Sequence, residues 1–164
     1  LSDIINNKIN AGVFLDAGCG AGKFLKILKS KSKDKSIEFY GSDFSQSSIE
    51  YCINNYKDVE FKISDIYEME YKDDFADYIV CSEVLEHLIE PEKALNELIR
   101  VCKTDGFIFL TVPNGELDDF IGHTNFWSFS EFKKFLEKFE LDFELILIEN
   151  NKSFLAIIKN RKIL

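Results

Sequence analysis

Apolar residues along the chain fall into short runs of two kinds. Stretches 12–18 (GVFLDAG), 37–43 (IEFYGSD), 59–66 (VEFKISDI) and 77–84 (DYIVCSEV) are rich in β-branched and aromatic residues and read as strands. Between them, 23–31 (KFLKILKSK) and 45–56 (SQSSIEYCINNY) place apolar residues on one helical face, with Ser45 set to cap the second. A further helix spans 92–103 (EKALNELIRVCK), opened by Pro91 and stopped at Gly106. The run 107–113 (FIFLTVP) is nearly all apolar, as expected of a strand covered on both faces of a parallel sheet. An amphipathic helix over 128–139 (SFSEFKKFLEKF) then leads to two β runs, 142–149 and 153–160, joined by the polar turn NNK. So short a connection permits only antiparallel pairing, so the sheet should end in a hairpin. The alternation predicts an α/β fold with a doubly wound sheet whose ligands gather at the carboxyl ends of the strands.

Composition narrows the class. With 164 residues, 46% of them hydrophobic, the chain suits one domain over 1–164 with one real core. Its start at Leu1, almost directly before the first strand, predicts that an N-terminal piece has been cut away. The net charge of −9 disfavours nucleic acid as a partner, although lysines 23, 26, 29, 31, 33 and 35 crowd one region that also suits a solvated helix face. Cys19, Cys52, Cys81 and Cys102 stand apart in apolar surroundings and read as small core residues of a reducing cytoplasm. No run approaches the ~20 apolar residues of a membrane span. Oligomeric state leaves no mark along the chain.

The stretch LDAGCGAGKF carries the first chemistry. Gly18, Gly20 and Gly22 form G-x-G-x-G where the first strand meets a helix N-terminus, a place where a ligand can touch main chain. Lys23 stands where a dinucleotide fingerprint needs its third glycine. Asp43 ends the neighbouring strand, where its carboxylate can accept both hydroxyls of a ribose. Phe44 offers a flat face to adenine, Asp65 an acceptor for its exocyclic amine, and Asp16 a charge for a ligand ammonium, directly or through water. Each acid alone would also suit capping the helix after it.

These residues, DAGCGAG, the acid of GSDFS, SDI, and CSEVLEHLIEPEKALNELIRVCKTDGFIFLTVPN, closely resemble the class I S-adenosylmethionine-dependent methyltransferases, of small-molecule type, from about Val13 onward. The resemblance implies a seven-stranded Rossmann-like sheet, mostly parallel, with an antiparallel C-terminal strand. It implies S-adenosylmethionine as cofactor and S-adenosylhomocysteine as product. Gly18, Cys19 and Gly20 would hold the methionine portion, Asp43 the ribose, Phe44, Asp65 and Ile66 the adenine, and Ser82 the methionine end.

On the acceptor side, in-line displacement at a sulfonium asks mainly for alignment, but an oxygen acceptor must lose a proton. Of the two histidines, His87 is the first choice for base or substrate contact, a structural role being the alternative. His123, the second catalytic candidate, lies in a loop resembling the substrate-side segment of small-molecule methyltransferases. Glu83, Phe126 and Trp127 are candidate acceptor contacts, the two aromatics also suiting a staple for the next helix. Glu83, Glu86 and His87 form E-x-x-E-H, which with His123 looks like the metal site of small-RNA 3′-terminal 2′-O-methyltransferases. The acidic balance speaks against that reading, and no metal is assigned. The expected function is methyl transfer to a small-molecule oxygen or nitrogen. The alternatives are the metal-assisted RNA enzyme and a non-catalytic module that keeps only the cofactor pocket.

Overall fold

A computed structural model describes residues 1–33 and 35–161. Its strands are β1 (Gly12–Ala17), β2 (Ile37–Asp43), β3 (Glu60–Ile63), β4 (Ala76–Ser82), β5 (Cys102–Pro113), β6 (Asp142–Ile148) and β7 (Ser153–Lys159). They form one sheet in the order β3-β2-β1-β4-β5-β7-β6. The first five pair in parallel, while β7 runs antiparallel to both β5 and β6. This is the seven-stranded, doubly wound arrangement expected, with its closing hairpin. The hairpin turn takes positive φ at Glu149, Asn150 and Asn151, a conformation that asparagine tolerates better than most residues.

Side-chain alternation along the central strands builds two apolar layers. Phe14, Val80 and Phe109 face one side, against Ile5, Leu25, Leu28 and Ile49 from α1 (Ser2–Lys8), α2 (Lys23–Lys31) and α3 (Gln46–Asn55). Leu15, Ile79 and Leu110 face the other, against Leu95, Leu98, Phe132 and Leu136 from α4 (Pro91–Val101) and α5 (Phe129–Glu137). Ser45 caps α3 by accepting from Ser48 N–H, and Pro91 takes the first position of α4. All four cysteines are buried.

Two boundaries differ from the pattern. Helix α1 precedes the first strand and packs on α2, with Ile5 fully buried in the layer below β1. Helix α4 stops at Val101, because Cys102 already pairs with Ala76 and begins β5. The ladder then shifts register between Ala76 and Tyr78, and Asp105 takes a positive φ. Gly106 therefore lies inside a strand, with no room for a Cβ between Asp77 O and Lys103 O. Among the described residues no helix is long and apolar enough to cross a membrane.

Candidate active site

Strand order reverses between β1 and β4, so the carboxyl ends of β1, β2 and β4 frame a crevice. It holds a cavity of about 640 Å³ whose walls include Gly18, Asp43, Phe44, Asp65, Ile66 and Glu83. Of the glycine loop, Gly18 lines this cavity. Gly18, Gly20 and Gly22 all have positive φ, and Asp43 lies against the loop, its Oδ2 accepting from Gly20 N–H at 2.8 Å. Asp43 Oδ1 accepts from Ser45 N–H at 2.9 Å. The carboxylate is thereby fixed, with a lone pair on each oxygen still open for a ribose hydroxyl.

The loop differs from the expected cradle in one respect. Gly18 N–H and Cys19 N–H both donate to Ser42 O, and Gly22 N–H donates to Cys19 O. These donors hold the loop to β2 and to itself, so its glycines serve close approach more than donation. At Gly18, φ is +83° and a Cβ would fall 2.5 Å from Val84 Cγ2. Gly18→Ala is therefore expected to displace Val84 or the loop and weaken S-adenosylhomocysteine binding about tenfold, the equivalent of ~1.4 kcal/mol. Calorimetry measures this directly, and unchanged affinity would remove the close-approach argument.

Asp16 is 2% exposed, and its Oδ2 has no hydrogen-bond partner. Burial first, and the charge of Asp43 second, push its pKa up to about 8. Phe44 stands exposed on the cavity wall, and Asp65 receives Tyr67 N–H on Oδ1. Ser82 Oγ is hydrogen-bonded to Thr111 Oγ1 at 2.8 Å, an engagement the sequence did not foretell. Glu83, at the end of β4, adopts φ +54°, held there by its N–H bonds to Thr111 O and Oγ1. Such strain in a non-glycine residue concentrates at functional sites.

The acceptor side is assembled by main-chain bonds between a 3₁₀ turn, Leu85–His87, and the loop before α5. Glu86 O accepts from Thr124 N–H and Asn125 N–H, and the Asn125 side-chain amide donates to Leu85 O and Leu88 O. These bonds bring His123 to His87, with ring centroids 4.6 Å apart. His87 Nδ1 faces Gly122 O at 3.1 Å, and His123 Nδ1 is bonded to Asp118 Oδ2. Glu86, His87 and His123 each offer a ligating atom within 4.8 Å of the others. Glu83, the other acid of E-x-x-E-H, is not in that trio. Glu86 is 1% exposed with neither carboxyl oxygen hydrogen-bonded, Oε1 lying 3.8 Å from His87 Nε2, and burial pushes its pKa up to about 8.

Of the two aromatics, Phe126 stands 6.0 Å from the His123 ring, half exposed. Trp127 is placed otherwise than an acceptor wall requires. Its ring packs 5.5 Å from Phe132 and 5.4 Å from Phe135, which is the stapling alternative. Sequence reasoning missed Asp118 entirely. Glu86 entered only through the metal alternative, since nothing in E-x-x-E-H says which acid is buried.

Residues 9–157 match the family model described as "Methyltransferase domain". The chain belongs to the class I S-adenosylmethionine-dependent methyltransferases. These enzymes take S-adenosylmethionine as cofactor. Among curated relatives, an Arabidopsis thaliana tRNA (carboxymethyluridine(34)-5-O)-methyltransferase is 35% identical over 113 residues, 67% of this chain and 26% of that one. A Neisseria meningitidis ubiquinone biosynthesis O-methyltransferase is 28% identical over 109 residues, 61% of this chain and 43% of that one. This methyltransferase chain spans 26% to 60% of the length of the first relatives it matches. A solved Aquifex aeolicus SAM-dependent methyltransferase superposes with TM-score 0.82 at 21% identity, covering 97% of this chain and 89% of that one. The methyltransferase of a Haloferax volcanii complex with the Trm112 activator superposes with TM-score 0.80 at 17% identity, covering 93% and 84%. With a tRNA enzyme among the relatives, net charge does not decide the acceptor class, and the disfavour of nucleic acid does not stand as a finding.

Proposed function

We propose that this methyltransferase moves the methyl group of S-adenosylmethionine to a hydroxyl of a small-molecule acceptor seated beside His87 and His123. The observation that carries this reading is the imidazole of His87 on the wall of the cofactor cavity with the His123 ring packed against it, each tied at Nδ1 and each with Nε2 as its remaining nitrogen. The acceptor oxygen attacks the methyl carbon, the S–CH₃ bond breaks in line, and the hydroxyl proton passes to an imidazole nitrogen. Asp43, Phe44 and the Asp65–Ile66 pair hold the nucleoside, Asp16 meets the methionine ammonium, and Phe126 flanks the acceptor. The acidic surroundings favour a cationic sulfonium over its neutral product, which assists release. Purified protein incubated with S-adenosyl-[methyl-³H]methionine and pooled metabolites tests this reading. The expected result is tritium in a small molecule, lost on His123→Gln. Label in RNA alone would overturn it.

One observation favours a second reading, in which a divalent metal assists methylation of an RNA terminus. Glu86 is a buried acid without hydrogen-bond partners, its Oε1 3.8 Å from His87 Nε2, and with the two imidazoles it forms a donor set that fits a divalent ion of the first transition row. Bound there, such an ion would polarise a hydroxyl as a Lewis acid. This chain's contribution would be to hold it through Glu86, His87 and His123. Under this reading chelation abolishes label transfer to RNA, leaves S-adenosylhomocysteine affinity unchanged, and added Mn²⁺ restores transfer. Chelator-resistant transfer to a small molecule rejects it.

A further inference from the structure

We propose that Asp118 is a positioning residue that holds His123 in the Nδ1–H tautomer and leaves Nε2 as the nitrogen that meets the acceptor. The proposal rests on the reading of His123 as an acceptor-side group. Asp118 and His123 face each other across one turn of the loop before α5, with side chains only 11% and 12% exposed. The carboxylate is itself fixed, because Asp118 Oδ1 accepts from Phe120 N–H at 3.2 Å while Oδ2 engages His123 Nδ1. The imidazole is fixed as well. His123 N–H donates to Phe120 O at 3.1 Å, and the ring lies between Phe120, with centroids 4.9 Å apart, and His87.

Both Asp118 oxygens sit in accepting geometry, Oδ1 toward Phe120 N–H and Oδ2 toward His123 Nδ1, the pattern of an ionised carboxylate. An ionised carboxylate can only accept, so the proton of this bond belongs to His123 Nδ1. The same logic applies to His87, whose Nδ1 faces the carbonyl of Gly122. The loop therefore sets both tautomers through different partners, one charged and one neutral. A free neutral imidazole prefers its proton on Nε2, so without Asp118 the working nitrogen of His123 would carry a proton and could not accept one. In a group orienting another, the cost of removal falls on turnover and not on cofactor affinity.

The chain has two histidines, so ¹⁵N-histidine labelling yields two ring systems, which a single His87→Gln variant assigns. Long-range ¹H–¹⁵N spectra at about pH 8, above the ordinary imidazole pKa, report each neutral tautomer. The expected result is Nδ1–H at both rings in the unaltered chain. Asp118→Ala should switch His123 to mainly Nε2–H and leave His87 as it was. Asp118→Asn, whose amide oxygen still accepts, should keep the Nδ1–H form. His123 found as Nε2–H in the unaltered chain, or retained as Nδ1–H in the alanine variant, overturns the proposal. Should the alanine variant fail to fold, the unaltered chain and the asparagine variant still decide it. The spectra need no ligand, so a failure to bind S-adenosylhomocysteine would sink the methyl-transfer reading separately.

Discussion

Asp43→Ala is expected to weaken S-adenosylhomocysteine binding about 100-fold while leaving a folded domain. The carboxylate is buried at the end of β2, with one oxygen on Gly20 N–H and the other on Ser45 N–H. Two charge-assisted bonds to ribose hydroxyls, at ~1.5 kcal/mol each, amount to ~3 kcal/mol, or roughly two decades in affinity. Alanine also leaves Gly20 N–H without its partner, which loosens the turn that would touch the methionine portion. Asp43→Asn keeps one acceptor oxygen and should fall between the two. Isothermal calorimetry against the nucleoside gives the affinities, and thermal unfolding without ligand shows that the fold is intact. Affinity unchanged by alanine would mean the cofactor does not sit in this crevice.

That Asp43 meets the glycine loop was legible because both lie at the ends of strands whose neighbourhood the right-handed crossover dictates. A residue at the carboxyl end of β1 and one at the end of β2 cannot avoid each other once the two strands pair in register, Asp16 against Gly41 and Ala17 against Ser42. The hairpin of β6 and β7 was legible for a similar reason, since its connection is too short for any other pairing. Helix α1 was not, because its seven residues hold too few apolar positions for a period to show. The early start of β5 was hidden by a helical period that runs on through Cys102, where pairing with Ala76 overrides local preference.

The acceptor side was legible only as a set of candidates. His87 and His123 are 36 positions apart, and their meeting depends on Glu86 O receiving two N–H groups from the loop, a main-chain event with no sequence signature. Asp118 and His123 sit five residues apart in irregular backbone, where neither a period of 3.6 nor of 2 relates them. The sequence marks the glycine loop as a place where a ligand can touch main chain, but the N–H groups of Gly18, Cys19, Gly20 and Gly22 are held by Ser42 O, Asp43 and Cys19 O. Glycines announce backbone freedom, and they do not reveal where that backbone's donors go.

Cofactor binding at neutral pH is expected to release a proton from Asp16. In the free protein this side chain is buried, has one unpartnered oxygen, and is pushed up to about 8 by desolvation and by the Asp43 charge. It is therefore mostly protonated at neutral pH. A methionine ammonium placed against it favours the carboxylate and lowers its pKa. At pH 7 about nine-tenths of a proton should be released per ligand bound. Affinity should rise by up to about tenfold per pH unit below 8 and then level off. The sign for stability follows from the same shift. A carboxyl whose folded pKa lies above its unfolded value favours folding at low pH, and that advantage is lost as pH rises from the ordinary aspartate range through about 8. Asp16→Asn should thus abolish proton release and gain unfolding temperature relative to the parent as pH rises across that window, while binding the nucleoside more weakly. Calorimetry in buffers of different ionisation enthalpy counts the protons. A count of zero in the unaltered protein would place the ammonium elsewhere in the crevice and leave Asp16 a buried acid of the apo fold.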